Sequence, residues 1–492
     1  MRVWTIVVLV LAVAAVVPAR QPTPESERQA RSARVAALEA RAFDALETKD
    51  YAAAEEPLRE LLELDPDNFV PAYNLACVRA LLGDPDEALA LLERAITRGF
   101  VDRGQMERDP HLATVRGHPR FRLLIERWSG VLDAHLDANL KIVERTFGAR
   151  YVVERDPALR LAYASVFDPV SFAQARDEIR LVADWSIENV FHDLREPGPD
   201  AWVIVVLPDR RDFQRWAIGT FGRDAITEFR SIGGSYDHDS KRLVAQDLGA
   251  TLRHEFMHVL HWRSNTRAGH VHAIWVQEGL CSLLEDYDLD PAGRIIPAPS
   301  WRTNIVKRLH DGRRLPSIAE LAGLSRDHFG GSRPLARYAH ARAIFLFLHE
   351  ERKLREWYDA YDRGFDQDPS GLAAFEQVFG TPVEEVDRRF RAWLDRLPEV
   401  PEEIAPGMAS LGVEIDAGEG EGPVIASVLR GSSAARAGLR RGDILTHVAS
   451  RSTRDLYELV RVLASRSPGE EVEVRVRRGT NHVVVRMTLD PR

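Results

Sequence analysis

Cysteine is scarce in this sequence of 492 residues, which contains only Cys77 and Cys281. Two cysteines cannot form the dense disulfide framework on which small secreted domains depend. Both lie in apolar helical patterns and in different predicted domains, so we expect two buried thiols without a disulfide. A chain without disulfides has to rely on large hydrophobic cores, and its 45% of hydrophobic residues is sufficient for them.

An excess of positive charge is also missing. The 66 basic residues are outnumbered by 75 acidic ones, and the formal net charge is −9. This balance gives no general reason to expect binding to nucleic acid. We interpret local basic clusters, such as Arg436, Arg440 and Arg441, as solvated surface, and we predict no nucleic-acid partner.

After the first 20 residues, no stretch of the sequence is apolar enough to cross a bilayer. Within residues 1–20, Arg2 precedes an apolar run, and Val17 and Ala19 are the small residues of a cleavage site after Ala19. The run is shorter than the roughly 20 residues of a membrane helix. We therefore predict a signal peptide and an exported protein, periplasmic or extracellular. The chain would be membrane-anchored only if this segment stays uncleaved.

The most informative stretch is residues 251–279, where His254, Glu255 and His258 form an H-E-x-x-H motif. Side chains at positions i and i+4 share one face of a helix, so both imidazoles can reach the same cation. Glu255 would lie beside them, close enough to touch a water at the metal without binding the metal itself. Glu278 follows twenty residues after His258 and can supply a third ligand from a second helix. Three protein ligands with an open position are typical of catalytic zinc.

With apolar helix residues around these positions, the sequence resembles the gluzincin metallopeptidases, and more narrowly the bacterial peptidase MA-like proteins. The resemblance implies that His254, His258 and Glu278 bind zinc (Zn2+). It also implies that Glu255 is the general base.

Two supporting roles stay open at the level of the sequence. Some gluzincins have an aspartate four residues after the ligand glutamate, where it orients a ligating histidine. Ser282 occupies that position here, and either Glu285 or Asp286 is a candidate substitute. By the same resemblance, Tyr338 or His340 would donate a hydrogen bond to the transition-state oxyanion from a helix that crosses the cleft. The alternative is that Tyr338 only packs, with its hydroxyl in water.

We expect no ligand among the other histidines near the motif. His261 shares a helix surface with His258, but Glu278 already completes the ligand set. His270 and His272 flank the connection between the two helices, and we expect them in solvent or at the rim of the cleft.

Residues 34–128 repeat a helical pattern with a period of 34 residues, which is the period of tetratricopeptide repeats. We expect roughly two repeats followed by a partial unit. They would form either a docking surface for a protein partner or a helical brace on the next domain. The apolar positions that correspond across the period are Ala54 with Ala88, Leu58 with Leu92, and Leu62 with Ile96.

The motif lies within residues 130–397, for which we predict an α+β zincin-like metallopeptidase domain. Residues 201–207 form a continuous apolar, β-branched run, typical of a buried strand. Residues 233–236 and 242–245 suggest a hairpin, and by resemblance its outer strand is the sheet edge with which substrate backbone pairs. Residues 315–397 are helical in pattern and would complete the domain.

The C-terminal part has a different composition. Residues 398–407 are rich in proline and acid and suggest a linker. Residues 408–492 alternate short strands and helices and resemble a PDZ domain of the bacterial protease-associated type. The resemblance implies that Leu411, Gly412 and Val413 form the loop that captures a peptide C-terminus, while the peptide adds a strand. Such a domain can instead pack on the protease.

The sequence thus predicts a multidomain protein with an α-helical repeat region, a zincin-like domain and a small β-rich PDZ domain. The predicted activity is zinc-dependent hydrolysis of peptide bonds in a protein or peptide substrate. Two other hypotheses stay open. One is a non-catalytic adaptor that uses its repeat and PDZ modules, and the other is an aminopeptidase rather than an endopeptidase.

Overall fold

The computed structural model describes residues 25–196, 198–228, 233–331, 334–418 and 420–492. The predicted signal peptide, residues 1–20, lies outside these ranges. Within them, no helix is both long enough and apolar enough to cross a membrane. Cys77 and Cys281 are both buried and unpaired.

The N-terminal region is built from antiparallel helix pairs with short connections. A polar side chain caps the start of several of these helices, because Asp50, Asn68, Asp84 and Asp102 each accept a hydrogen bond from a backbone N–H two or three residues ahead. The helices are α1 (Glu25–Glu47), α2 (Tyr51–Leu64), α3 (Phe69–Leu81), α4 (Pro85–Thr97), α5 (Arg103–Arg108), α6 (Pro119–Glu126) and α7 (Trp128–Phe147), with a 3₁₀ turn at Pro110–Leu112.

The period of 34 residues places equivalent side chains in equivalent positions of α2 and α4. Ala54 and Ala88 are both fully buried, and Leu58 and Leu92 are almost fully buried. The small alanines allow each helix to approach its partner closely, so the repeat has a packing reason.

A five-stranded sheet follows, in the order β1-β2-β3-β5-β4. The central strands β2, β3 and β5 are parallel, whereas β1 and β4 pair antiparallel at the two edges. The hairpin predicted near residues 233–245 is therefore present, and its first strand is a sheet edge. The strands are β1 (Val152–Asp156), β2 (Leu161–Ser165), β3 (Val203–Leu207), β4 (Gly234–Asp237) and β5 (Arg242–Ala245).

Helices surround the carboxyl half of this domain. A 3₁₀ turn, His192–Arg195, follows α8, and Gly222 interrupts α9 with a positive φ of 83°. The elements are α8 (Pro169–Asn189), α9 (Arg210–Glu228), α10 (Ala250–Ala268), α11 (Ile274–Leu283), β6 (Tyr287–Leu289), β7 (Ile295–Pro297), α12 (Trp301–Asp311), α13 (Ile318–Ala322), α14 (Arg326–Gly330), α15 (Pro334–Glu350), α16 (Leu354–Gly364), α17 (Leu372–Phe379) and α18 (Val383–Arg396).

The sheet is covered on both faces. Along β3, Val203, Val205 and Leu207 belong to the core that contains α8, α10 and α11. The alternate residues Ile204 and Val206 belong to the core of the helical repeats. This double burial explains why the strand is apolar without alternation. The repeats therefore share a hydrophobic core with the sheet, as the brace interpretation requires.

The C-terminal domain is a separate small sheet with two helices. Its strand order is β14-β13-β11-β10-β9, so β9 is an edge strand, and it has its own core. The elements are β8 (Ala409–Ser410), β9 (Val413–Asp416), β10 (Val424–Val428), α19 (Ser433–Ala437), β11 (Ile444–Val448), β12 (Arg451–Ser452), α20 (Leu456–Ala464), β13 (Glu471–Arg478), β14 (Asn481–Thr488) and β15 (Asp490–Pro491).

The connection between the last two domains is held in place by α12. The Asn304 amide accepts from the N–H of Val400 at 3.0 Å and donates to its carbonyl at 2.7 Å. Arg308 pairs with Glu402 at 2.8 Å. The predicted linker, residues 398–407, is thus anchored to α12 at Val400 and Glu402.

Candidate metal centre

Helix α10 brings the two motif histidines onto one face. The opposite face carries Phe256, Val259 and Leu260, which are buried in the core. Anchored in this way, α10 holds the ring centroids of His254 and His258 4.9 Å apart at an angle of 75°.

The third member of the cluster comes from α11, which is buried along its whole length. Gly279 explains how this helix reaches its position, because a Cβ atom there would lie 2.5 Å from the ring of Phe345 on α15. The resulting close approach of α11 and α15 fixes Glu278. One of its carboxylate oxygens, Oε2, lies 3.4 Å from Nε2 of His254 and 3.5 Å from Nε2 of His258.

These three side chains fit a zinc ion. A tetrahedral ion with bonds of about 2.0–2.1 Å holds its ligand atoms about 3.3 Å apart, which is close to the distances from Glu278. The electrostatics agree with this fit. Burial raises the pKa of Glu278, but the two histidines outweigh burial and hold this pKa well below its ordinary range. Burial lowers the pKa of His254, yet hydrogen bonds to Glu278 and Glu285 raise it to about 10. The pocket therefore attracts positive charge.

Glu285 contacts His254 at the ring nitrogen that does not face Glu278. Its Oε1 lies 2.9 Å from Nδ1 of His254, and Arg302 donates to its Oε2 at 2.6 Å. A carboxylate on Nδ1 leaves the Nε2 lone pair free for a metal. The sequence left Glu285 and Asp286 as alternatives, and the structure places Glu285 in contact with the histidine. Ser282 is fully buried and takes no part in this contact.

Glu255 lies on the sheet side of the cluster. It is buried, and this burial raises the pKa of its carboxyl group. The nearby backbone N–H of Tyr236, on the edge strand β4, partly offsets this rise in the pKa. Gly234 makes this approach possible, since a Cβ atom there would lie 2.8 Å from the Glu255 side chain. The general-base candidate therefore lies between the histidines and the edge strand on which substrate backbone was expected.

Only one of the two oxyanion candidates lies at the cluster. Burial, together with the negative charges of Glu278 and Glu255, raises the pKa of Tyr338 well above its usual value, so its hydroxyl stays protonated. His340 is on the other side of α15 and stacks on Phe390 at 5.7 Å. Burial lowers the pKa of His340 to about 3. His340 is thus a core residue.

The expectation for the remaining histidines is partly wrong. His272 is 2% exposed and is not a rim residue. Its Nδ1 lies 2.8 Å from Nε2 of the equally buried His261, so His261 faces His272 and not the metal cluster. His270 is only partly buried and pairs with Asp362 at 2.8 Å. His270, His272 and Asp362 form a second cluster of ligand-type side chains.

Sequence reasoning missed Arg253, which precedes the motif. Its side chain is 1% exposed and pairs with Glu178 of α8 and with Glu458 of α20, each at 2.6 Å. It also donates to the carbonyls of Leu284 and Glu285 after α11. The sequence did contain a signal for this residue, namely an arginine within a helix that is largely buried. A buried positive charge needs several partners.

The C-terminal domain therefore packs directly against α10, the helix that carries His254 and His258. Besides Glu458, α20 contributes Tyr457, which stacks on Trp301 at a centroid distance of 5.2 Å. Trp301 is adjacent in sequence to Arg302, the partner of Glu285. The N–H of Leu248, just before α10, donates to the carbonyl of Gly420 at 2.8 Å. Further ion pairs join Arg451 and Arg461 of this domain to Asp288.

The predicted peptide loop lies at the start of the edge strand β9. Leu411 is buried, and Val413 begins the strand. Gly412 has a φ of 74°, and a Cβ atom there would lie 2.5 Å from the Ser432 side chain, so the turn requires glycine. Within the described residues β9 has a pairing partner on one side only. Its other side is free for an added strand.

Two parts of the chain match family models. A tetratricopeptide-repeat model matches residues 45–102, and a PDZ-domain model matches residues 424–478. These matches confirm the predicted helical repeats and the predicted PDZ domain in those regions. No curated protein matches the chain.

Several solved proteases share partial similarity with the chain. The HtrA-type protease AlgW with a decapeptide is 29% identical, with a TM-score of 0.17, over 17% of this chain and 30% of that one. An aminopeptidase N family protein from Idiomarina loihiensis is 11% identical, with a TM-score of 0.28, over 69% and 67%. The photosystem II D1 C-terminal processing protease is 15% identical, with a TM-score of 0.18, over 39% and 44%. TM-scores this low assign no activity, so function has to be argued from the residues themselves.

Proposed function

We propose that this chain is a zinc-dependent peptidase. The observation that carries the proposal is that Nε2 of His254 and Nε2 of His258 each lie within 3.5 Å of Oε2 of Glu278, with Glu255 buried beside them. A purely structural zinc site needs a fourth protein ligand. It does not need a buried carboxylate that binds neither the metal nor a cation.

The residues divide the work of amide hydrolysis among them. When bound, zinc supplies Lewis acidity, which lowers the pKa of water to about 7 and polarises a carbonyl. Glu255, with its pKa raised by burial, accepts a proton from the attacking water and returns it to the leaving amine. Tyr338 donates a hydrogen bond to the negative oxygen of the transition state. The outward side of β4 aligns an extended substrate by backbone pairing.

The proposed substrate is an internal peptide bond of a protein or peptide. Residues 1–20 would direct the chain out of the cytoplasm, to the periplasm or the extracellular space. N-terminal sequencing of the secreted protein should begin at Arg20, whereas a start at Met1 would indicate a membrane anchor. Peptide C-termini are the proposed ligands of Leu411, Gly412 and Val413, and a protein partner is proposed for the exposed face of the repeats.

Glu255→Gln tests the proposed chemistry, because it removes the base and keeps the shape of the side chain. Purified protein should contain zinc and cleave an unfolded protein. The Glu255→Gln variant should keep its zinc and lose at least about 100-fold in kcat, while His258→Gln should lose both zinc and activity. Inert wild-type protein without zinc would favour the adaptor hypothesis. Cleavage confined to N-terminal residues would favour an aminopeptidase.

Tyr338→Phe tests the proposed oxyanion donor. Loss of one such donor costs about 100- to 1,000-fold in kcat, and KM and zinc content should stay unchanged. Loss of zinc in this variant would instead show that Tyr338 only supports Glu278. His340→Phe on the same helix is the matched control, since His340 lies in the core and its loss should leave kcat unaffected.

A further inference from the structure

A second group of side chains has the geometry of a metal site. Nδ1 of His270 lies 2.8 Å from Oδ1 of Asp362, and Nε2 of His272 lies 3.6 Å from the same oxygen. All three potential ligand atoms lie within 4.8 Å of one another. The ligand atoms of a tetrahedral zinc ion are about 3.3 Å apart, so one ion can reach all three with small adjustments.

The buried ring of His272 has one nitrogen without a hydrogen-bond partner among the described residues. Its Nδ1 shares one proton with Nε2 of His261 at 2.8 Å. Its Nε2 is buried and makes no hydrogen bond within the described residues, since Asp362 is too far away. If His272 donates that proton, its Nε2 lone pair lies 3.6 Å from the Asp362 carboxylate oxygen. A buried nitrogen without a partner is costly, and a cation at this point satisfies both groups.

The cluster is held by rigid elements on both sides. Gly269 ends α10 with a positive φ of 81°, and the ring of His270 stacks on Phe365 at 4.5 Å. Gln277 donates to the carbonyl of His272 at 2.6 Å. Asp362 is on α16, in a different part of the domain. The ligand atoms are therefore held in place without an ion, as a preformed site requires.

The donor set selects the kind of ion. Two imidazoles and one carboxylate suit zinc and related transition metals, whereas calcium and magnesium prefer oxygen ligands. The Asp362 side chain is 35% exposed, so an ion can enter from solvent and take water as a further ligand.

We propose that His270, His272 and Asp362 bind a second divalent transition-metal ion, zinc in the first instance. This ion clamps residues 269–273 to α16. Those residues connect α10 to α11, and these two helices carry the ligands of the first cluster. The second ion therefore fixes their separation. The inference holds whether or not the first cluster is catalytic.

Zinc uptake by the full-length protein tests the proposal. Metal-free protein is titrated with Zn2+ and its bound zinc is measured after gel filtration. Wild type should take up two ions per chain. Glu278→Gln should lose the first site and keep the second, whereas Asp362→Asn should lose the second and keep the first. Asp359→Asn is the matched control, because Asp359 lies on the same helix with a similar exposure of 38%, and it should take up two ions.

Two further measurements separate loss of the ion from loss of the fold. In the Glu278→Gln background, Zn2+ should still raise the melting temperature by several degrees, and adding Asp362→Asn should abolish that rise. Co2+ in the same background should give the visible absorption bands of a low-symmetry site. Absence of zinc uptake by Glu278→Gln, or equal zinc uptake by Asp362→Asn and Asp359→Asn, would overturn the proposal. Failure of the peptidase assay would leave these readouts unchanged.

Discussion

The contact between the PDZ domain and α10 leads to a quantitative prediction for Glu458→Gln. Glu458 pairs with Arg253 at 2.6 Å, and the two side chains are only 13% and 1% exposed. Removing one partner of a buried ion pair costs about 3–5 kcal/mol. Here Arg253 keeps Glu178 and two backbone carbonyls, and glutamine can still accept a hydrogen bond. We therefore expect a loss of about 2 kcal/mol.

Hydrogen exchange of α10 is the appropriate assay, because it reports the local opening of one helix. A loss of about 2 kcal/mol corresponds to about 30-fold faster exchange of the slow amides around residue 253. Glu470→Gln is the control, since Glu470 pairs with Arg466 at the surface of the same domain, where such pairs contribute less than about 1 kcal/mol. If exchange in α10 were equal in the two variants, the ion pair between Glu458 and Arg253 would not stabilise α10.

Three other substitutions test separate parts of the structure. Gly279→Ala places a methyl group 2.5 Å from the Phe345 ring, so it should cost about 1–3 kcal/mol and lower both the melting temperature and the zinc content. Glu285→Gln removes the carboxylate at Nδ1 of His254, so zinc affinity in a chelator competition should fall about 10- to 100-fold without a change in circular dichroism. Burial and a neighbouring carboxylate raise the pKa of Asp455 to about 8, so the folded state keeps a proton that the unfolded state loses above about pH 4. The free energy of unfolding of the wild type therefore falls progressively as the pH rises between those two values. In urea unfolding, Asp455→Asn should be more stable than wild type at pH 8 and equally stable near pH 4.

Features with a local period were predictable from the sequence. Three such features follow from the geometry of one helix, one helix pair or one strand. They are the spacing of His254 and His258, the 34-residue repeat, and the apolar strand before residue 208. Family models independently match the repeats and the PDZ domain. Glu278 was predicted from its position downstream of the motif together with the resemblance to gluzincins, and the structure brings it to the two histidines.

What could not be predicted depends on contacts between distant parts of the chain. The choice of Glu285 over Asp286 depends on how the chain turns after α11. The burial of His272 depends on α16, which lies some 90 residues further on. One partner of Arg253, Glu458, is 205 positions away, in the PDZ domain, whose packing on its neighbour the sequence left open. No periodic pattern encodes such pairings.

The chemistry of its interfaces also determines how this chain can be divided or recombined. Exchanging the repeats together with α7, which contacts β3, would expose the alternate residues of β3 on one face, so repeats, α7 and sheet have to be inherited as one piece. The PDZ domain has a complete core of its own and meets its neighbour largely through ion pairs. A replacement module would have to supply a carboxylate to Arg253 and an aromatic ring to Trp301. Evolutionary exchange, and protein engineering, should find its boundary near residue 407 and none near residue 129.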